Sequence, residues 1–362
     1  MIKDFLAGIR VLDLSLYLPG PFATRTLADL GADVVKVEPP TGDPTKTMDI
    51  DVDEGWSAFY RMLNAGKRVV SLDLKTEVDR DKLTAMVAHA DVLLESFRPG
   101  VLDRLGFGEE RLRVLHPNLI HCALSGFGQT GPYALAAGHD LNYEALTGGL
   151  GACGIEETPV MPYPPMADYA GAQQAVIAIL GALVGKERRR EGVYLDVSLF
   201  ESLLAWQGPS LTVPPARGES ILNGGAAFYQ IYRTADGRFV SLSPIEPKFW
   251  ANFCTAIGHP DWIPRQVEGM PQRKLIADVA AVFASQPLAH WEELLMPADC
   301  CYQAVLTYPE VVAHPHNQAR GLIHERSDFI EVLFPAYADG RPPEPRPEVI
   351  ETDAATVLAS WG

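Results

Sequence analysis

Short runs of branched apolar residues, bounded by glycine or proline, alternate along the first half of the chain with longer segments whose apolar positions fall three and four apart. Ile9-Arg10-Val11-Leu12-Asp13-Leu14 has the density of a buried strand, Leu18-Pro19-Gly20-Pro21 turns the chain, and Phe22 to Leu30 reads as a helix closed by Gly31. Asp33 to Glu38 is then the next strand, so the unit is βαβ and the sheet it starts is parallel. The pattern repeats through a strand at Arg68–Leu74, an amphipathic helix at Thr76–Ala90, and strands at Asp91–Ser96 and Leu119–Ser125. An open sheet of this kind binds ligands beyond the carboxyl ends of its strands. The loops that follow Leu14, Ser96 and Ser125 are therefore the expected ligand side.

Asp168 to Gly185 is a long helical stretch rich in alanine and glycine, which implies close approach of a neighbouring backbone. A strand at Val193–Val197 and a helix from Ser198 follow. After about residue 208 the texture turns to proline and glycine, as in a linker or extended arm. Beyond it, Phe228–Thr234 and Arg238–Ser243 flank Ala235-Asp236-Gly237, a hairpin signal. Helical patterns at Pro247–Ile257, Arg273–Ser285 and Leu288–Leu295 predict a second, α+β domain. The tail at Arg341–Pro347 reads as extended and surface-lying, and a short helix from Ala354 to Trp361 as returning to the first domain.

Composition narrows the function. With 362 residues and 47% hydrophobic content the chain buries a substantial core, and its net charge of −16 opposes nucleic acid as a partner. Five cysteines, Cys122, Cys153, Cys254, Cys300 and Cys301, lack a CxxC pair or metal-ligand spacing, so reduced thiols and no metal site are expected. Met1-Ile2-Lys3-Asp4-Phe5-Leu6 lacks the apolar core of a leader, and no uninterrupted run of about eighteen apolar residues follows. The expectation is a cytoplasmic protein with no membrane partner. GxGxxG and Walker loops are absent after every strand, against a P-loop nucleotidase or an ordinary dinucleotide dehydrogenase.

Three residues carry possible proton chemistry, each with a plainer alternative. Asp168 opens a helix of small residues, so it is either an N-cap or a carboxylate that a substrate approaches closely. His139, between Gly138 and Asp140 ahead of the apolar helix Leu141–Leu146, is either a capping or surface residue or an acid–base group suited to neutral pH. Glu246 sits on a proline-stiffened turn, either solvated or orienting a histidine. Two basic clusters, Asn64-Ala65-Gly66-Lys67-Arg68 and Ser96-Phe97-Arg98-Pro99-Gly100, lie near the expected ligand side of an otherwise acidic chain and suggest a phosphate-rich ligand.

Leu6–Leu14, Pro19-Gly20-Pro21, Leu30–Pro40 and Phe97-Arg98-Pro99-Gly100 together resemble the class III coenzyme A transferase superfamily over nearly the whole chain. Within it, Ala137–Tyr143, Ala167-Asp168-Tyr169-Ala170-Gly171, Ile245-Glu246-Pro247 and Ala298-Asp299-Cys300-Cys301 are similar to the α-methylacyl-CoA racemase branch. The resemblance implies an α/β fold in which 1–200 and 320–362 form a large Rossmann-like CoA-binding domain with an open parallel sheet. It places a linker at 201–227, a smaller α+β domain at 228–319, and an interlocked homodimer whose sites form between subunits. It also implies inversion at the 2-position of a 2-methylacyl-CoA thioester through an enolate, with His139 on the (S) side, Asp168 on the (R) side, Glu246 orienting His139, and an amide such as that of Asp140 stabilising the enolate oxygen. CoA is then part of the substrate, and no separate cofactor is called for.

Transferases of the superfamily use the aspartate matching Asp168 as a nucleophile, passing through an acyl anhydride and an enzyme–CoA thioester. The Gly-His-Asp histidine marks the racemase branch instead. The resemblance breaks where Pro39 replaces the usual arginine, which shifts contacts with the nucleotide to Lys36, Lys67, Arg68 and Arg98. It breaks again at Tyr302-Gln303-Ala304, which alters the acyl pocket.

Overall fold

The computed structural model describes residues 2–48, 55–154 and 158–362. It divides into two compact units, one of Met1–Thr147, Tyr163–Trp206 and Pro315–Gly362, the other of Gly148–Pro162 and Gln207–His314. The first unit holds strands β1 (Arg10–Leu14), β2 (Asp33–Glu38), β3 (Arg68–Ser71), β4 (Val92–Glu95), β5 (Ile120–Ser125) and β6 (Val193–Ser198). The second holds β7 (Gln230–Arg233), β8 (Phe239–Leu242) and β9 (Tyr302–Ala304). The chain then returns to the first for β10 (Ile323–Glu325), β11 (Ile330–Val332) and β12 (Ile350–Thr352).

Seven strands form one parallel sheet in the order β12-β3-β2-β1-β4-β5-β6. Chain direction across the sheet reverses between β1 and β4, the position where an open α/β sheet leaves a crevice beyond its carboxyl ends. The apolar runs are continuous because both faces are covered. Val11, Val34, Val92 and Ile120 belong to one core with helices Pro19–Asp29 and Met166–Arg189, whereas Leu12, Val35 and Leu93 belong to the other with helices Glu77–Val87 and Ala354–Trp361.

Helix Met166–Arg189 is the central element of the first core. Over Met166–Lys186 it is long and apolar enough to cross a membrane. Here Ala167, Ala170, Ala172, Ala175 and Ile179 face the core, while Ile177 and Val184 are exposed. A Cβ on Gly171 would lie 2.2 Å from Leu199 Cδ2, the close approach that its small residues imply.

The C-terminal segment is more deeply built in than its proline content suggests. The expectation of a surface-lying tail fails at Arg346, which is buried, grips Asp29 through both carboxylate oxygens at 2.6 and 2.8 Å, and pairs with Glu331 at 3.3 Å. Next, β12 pairs with β3 at the sheet edge. Helix Ala354–Trp361 then seats Trp361 in the core, its indole N–H donating to Asp33 at 2.7 Å. In the β10–β11 hairpin the alternation Ile330-Glu331-Val332 is inverted, with Glu331 buried and both apolar neighbours exposed.

In the second unit, Thr234 N–H donates to Arg238 O at 2.9 Å and Gly237 takes φ +81°, closing the Asp-Gly hairpin. β9 adds a third antiparallel strand to β7 and β8. Stacked Tyr232, Phe253 and Phe283 rings, with Trp250 and Trp291, fill the core beneath. The division of the chain differs from the 201–227 linker expected above. Helix Leu199–Trp206 belongs to the first unit, and residues from Gln207 onward pack with 148–162, where the Arg217 guanidinium donates to Gly151 O at 2.9 and 3.1 Å.

Two buried ion pairs tie β1, β2 and the start of β3 together, Lys67–Asp13 at 3.0 Å and Lys36–Asp43 at 2.9 Å, with side chains fully excluded from solvent. Removing one partner strands a buried charge. Lys67→Ala is therefore expected to cost about 3–5 kcal/mol in urea unfolding, whereas Lys274→Ala at the exposed pair with Asp278 leaves the midpoint unchanged.

Candidate active site

The loops beyond β1, β4 and β5 surround a cleft of about 500 Å³, lined among others by Tyr17, Arg98, His139, Tyr143 and Asp168. Its floor is set by the β1 turn. Lys36 Nζ donates to Ser15 O at 2.7 Å, Leu16 N–H to Ser96 Oγ at 3.3 Å, and Tyr17 N–H to Asp43 Oδ1 at 3.4 Å. These bonds hold Tyr17 at φ +64°, a left-handed conformation that a bulky residue adopts only when its surroundings impose it.

His139 is presented by a turn fitted around one phenol ring. A Cβ on Gly126 would fall 2.4 Å from Tyr143 Oη, and one on Gly138 2.9 Å from Tyr143 Cε1, so glycine at both places lets the ring pack against bare backbone. Tyr143 Oη–H donates to Gly138 O at 2.6 Å. Burial, with Asp168 and Asp140, pushes the phenol up to about 12, so it remains a donor. His139 occupies the N-cap position of helix Asp140–Leu146. Its backbone N–H donates to Asn142 Oδ1 at 3.1 Å, leaving an exposed imidazole on the cleft wall.

Asp168 is the third residue of helix Met166–Arg189, whose N-cap is Pro165, so it is not the cap that its position in the sequence suggests. The capping is done from helix Asp140–Leu146. Asp140 Oδ1 accepts from Ala167 N–H at 2.7 Å and Asp168 N–H at 3.0 Å, and Glu144 Oε1 accepts from Met166 N–H at 3.2 Å. The Asp168 carboxyl is thereby left free on the cleft wall. Burial first, then the charges of Asp140 and Glu144, raises it from 3.8 to about 7. A carboxyl poised there both accepts and donates a proton near neutrality.

The basic residues fare differently. Lys36 and Lys67 do not reach a ligand as expected, because both are buried ion-pair partners. Lys67 Nζ is bound by Asp13, Pro21 O and Asn64 Oδ1 within 3.0 Å, and Lys36 by Ser15 O and Asp43. Arg68 is also corrected. As the first residue of β3 it lies at the amino edge of the sheet, away from the cleft, bound to Asp33 at 2.6 Å and Ser360 at 3.0 Å. Arg98 alone of the four lines the cleft, exposed and donating to Leu135 O at 2.6 Å.

Glu246 stands in the second unit as the exposed N-cap residue of helix Pro247–Ala256, without a side-chain cap bond. Its turn is braced by Gln266 Nε2 donating to Ile245 O at 2.9 Å. Burial, Glu246 and Asp299 push the Cys301 thiol up. Tyr17 and Glu144 were not picked out from the sequence. Glu144 carried a signal in its four-residue spacing from Asp140 on one helix face; the backbone conformation of Tyr17 carried none.

Residues 6–343 match CoA-transferase family III. The chain belongs to this family. Among its relatives in the family, human alpha-methylacyl-CoA racemase is 38% identical over 325 residues, covering 87% of this chain and 81% of that one. Acetyl-CoA:oxalate CoA-transferase from Acetobacter aceti is 35% identical over 330 residues, covering 87% and 84%. A CAIB/BAIF family protein from Brucella suis has a crystal structure that superposes with a TM-score of 0.85 at 27% identity, covering 99% of each chain. The family thus embraces proteins named for inversion and for CoA transfer, and the chain is an enzyme of that group.

The raised Asp168 carboxyl has a consequence for stability. A proton held more tightly in the folded chain contributes stability that is whole below about pH 4 and lost as pH rises through about 7. Asp168→Asn removes the ionising group, so by calorimetry it is expected to melt above the wild type at pH values over 7, with the gap closing in acid. A variant that melts lower at neutral and alkaline pH contradicts the assignment.

Proposed function

We propose that the protein inverts the 2-position of a 2-methylacyl-CoA thioester by proton transfer between two groups, His139 and Asp168. The observation that carries this reading is that both line one cleft, an imidazole together with a carboxyl raised to about 7. The thioester acidifies the 2-hydrogen. One of the two groups takes that proton, leaving an enolate, and the other returns a proton to the opposite face. The enolate oxygen is stabilised by amides at the start of helix Asp140–Leu146, that of Asp140 being the expected donor.

Arg98 is the cation left to meet the anionic end of CoA at this cleft. CoA enters as part of the substrate, and the two proton steps call on no further cofactor. In this reading Glu246 orients His139 and is supplied within an interlocked homodimer. Five free cysteines fit action in the reducing cytoplasm.

CoA transfer, with Asp168 as nucleophile, is the second reading, favoured by the relative of that name at 35% identity. A nucleophilic carboxylate has to be ionised, however, and a carboxyl raised to about 7 suits proton exchange better. Incubating the enzyme with one stereoisomer of a 2-methylacyl-CoA in D2O, without an acceptor acid, distinguishes them. Racemisation with deuterium at carbon 2 is expected, and His139→Ala and Asp168→Asn should each lower it by about 10²–10⁴-fold. No exchange, together with transfer of CoA to an added carboxylic acid and trapping of an Asp168 thioester, would establish the transferase instead.

A further inference from the structure

We propose that Ser125 is a further catalytic residue, its hydroxyl donating to the thioester carbonyl oxygen as that oxygen takes up the charge of the enolate. The inference rests on the proton-transfer reading of the cleft and adds to it a contact that the fold leaves open.

Serines stand at the carboxyl ends of β1, β4, β5 and β6, where Ser15 and Ser96 follow the first two strands and Ser125 and Ser198 end the others. Three of them are bound within the fold. Ser15 Oγ donates to Asp13, Ser96 Oγ accepts from Leu16 N–H at 3.3 Å, and Ser198 Oγ donates to Gly126 O at 3.2 Å. Ser125 differs. It is 8% exposed, yet among the described residues its hydroxyl has no hydrogen-bond partner. Of the buried side-chain polar atoms in that state, it alone belongs to a residue that lines the cleft. A hydroxyl taken out of water without a partner is unfavourable, and such groups are rare unless a ligand or water completes them.

The neighbouring polar groups of the cleft are already engaged. Tyr143 gives its one proton to Gly138 O, Arg98 donates to Leu135 O, and Asn142 Oδ1 accepts from His139 N–H. His139 and Asp168 are taken up by the two proton steps. The end of β5, moreover, packs directly against the turn that carries His139 and Asp140. A Cβ on Gly126, the residue after Ser125, would fall 2.4 Å from the Tyr143 oxygen that binds Gly138, and Phe127 meets the same ring edge to face with centroids 4.9 Å apart. Ser125 thus enters the cleft from the strand end that supports the Asp140 amide, the other donor expected at the enolate oxygen. Gly126 O is held by Ser198 Oγ and by Phe200 N–H at 3.0 Å, so the hydroxyl is carried on fixed backbone. Leu124, Phe127 and Leu199 also line the cleft, apolar surroundings in which a hydrogen bond to developing charge is stronger than in water.

When one of the two bases removes the 2-proton, the electron pair of that C–H bond moves into the thioester and its carbonyl oxygen becomes anionic. The Ser125 hydroxyl keeps its own proton and tightens its bond to that oxygen. The pair flows back as the second group returns a proton to carbon 2.

Ser125→Ala separates this role from a structural one. Removing a hydroxyl that nothing in the fold binds is expected to leave the melting temperature of the ligand-free protein unchanged or to raise it. Removing a donor to a developing oxyanion is expected to lower kcat about 10²-fold with KM little changed. The rate is read as deuterium uptake at carbon 2 of one stereoisomer of a 2-methylacyl-CoA in D2O. Ser125→Cys, which retains a weak donor, is expected to fall between the two, and a rate equal to that of Ser125→Ala counts against donation. A wild type that exchanges no deuterium refutes the proton-transfer reading, and the role of Ser125 with it. With the wild type active, an unchanged kcat in Ser125→Ala means that the hydroxyl merely holds water, and a raised KM alone places its bond elsewhere on CoA. Either result overturns the proposal, as does a melting temperature that falls together with kcat.

Discussion

Charge buried without access to water is the constraint on which the cleft depends. Asp13, Lys36, Asp43 and Lys67 are enclosed where β1, β2 and β3 meet. Such charges are tolerable only when every polar atom is bonded and no partner drifts. Burial works against the Asp13 carboxylate, yet Lys67, Lys36 and the hydroxyls of Ser15 and Thr24 hold it down to about 2. Because Lys36 also binds Ser15 O and Asp43 also binds Tyr17 N–H, the same network fixes the β1 turn in a conformation it would not otherwise keep. A rigid floor at the strand-order reversal leaves the mobile chemistry to side chains on the opposite wall.

That wall is organised by borrowed caps. Helix Met166–Arg189 begins at a proline-capped end with no side chain of its own to satisfy its first amides. The preceding helix supplies Asp140 and Glu144 for that purpose, which leaves Asp168 free of the role an aspartate at a helix start usually takes. Stability of the helix and reactivity of its third residue are thus assigned to different carboxyl groups.

The parallel sheet was legible in sequence because its strands are buried on both faces, so Val34-Val35-Lys36-Val37 and Val92-Leu93-Leu94 appear as apolar runs. β9 and β12, three residues each and partly polar, were not, since pairing with a distant neighbour defines them rather than their own pattern. His139, Asp168 and Arg98, the first two singled out through motif resemblance rather than position, line one cleft in the structure. Lys36, Lys67 and Arg68 were misassigned for a physical reason: a basic residue near a loop gives no sign of which way its side chain runs, and here it runs inward or to the far edge. Glu144 escaped notice because capping between two helices is a relation that only the tertiary fold creates.

The edge strand β12 and the helix that carries Trp361 come from the last stretch of the chain, yet they close a sheet begun by its first strands. Between β6 and β10 the chain leaves to build the second unit. During synthesis, then, β3 stands as an open edge while more than half of the polypeptide is still to emerge, and Asp33 waits without its indole partner. The second unit has every strand and aromatic layer of its core within one continuous segment and a short flanking piece, so it meets the conditions for folding early from local contacts. The parallel sheet is completed last, by long-range pairing, and exposed edge strands in the meantime are the vulnerable species.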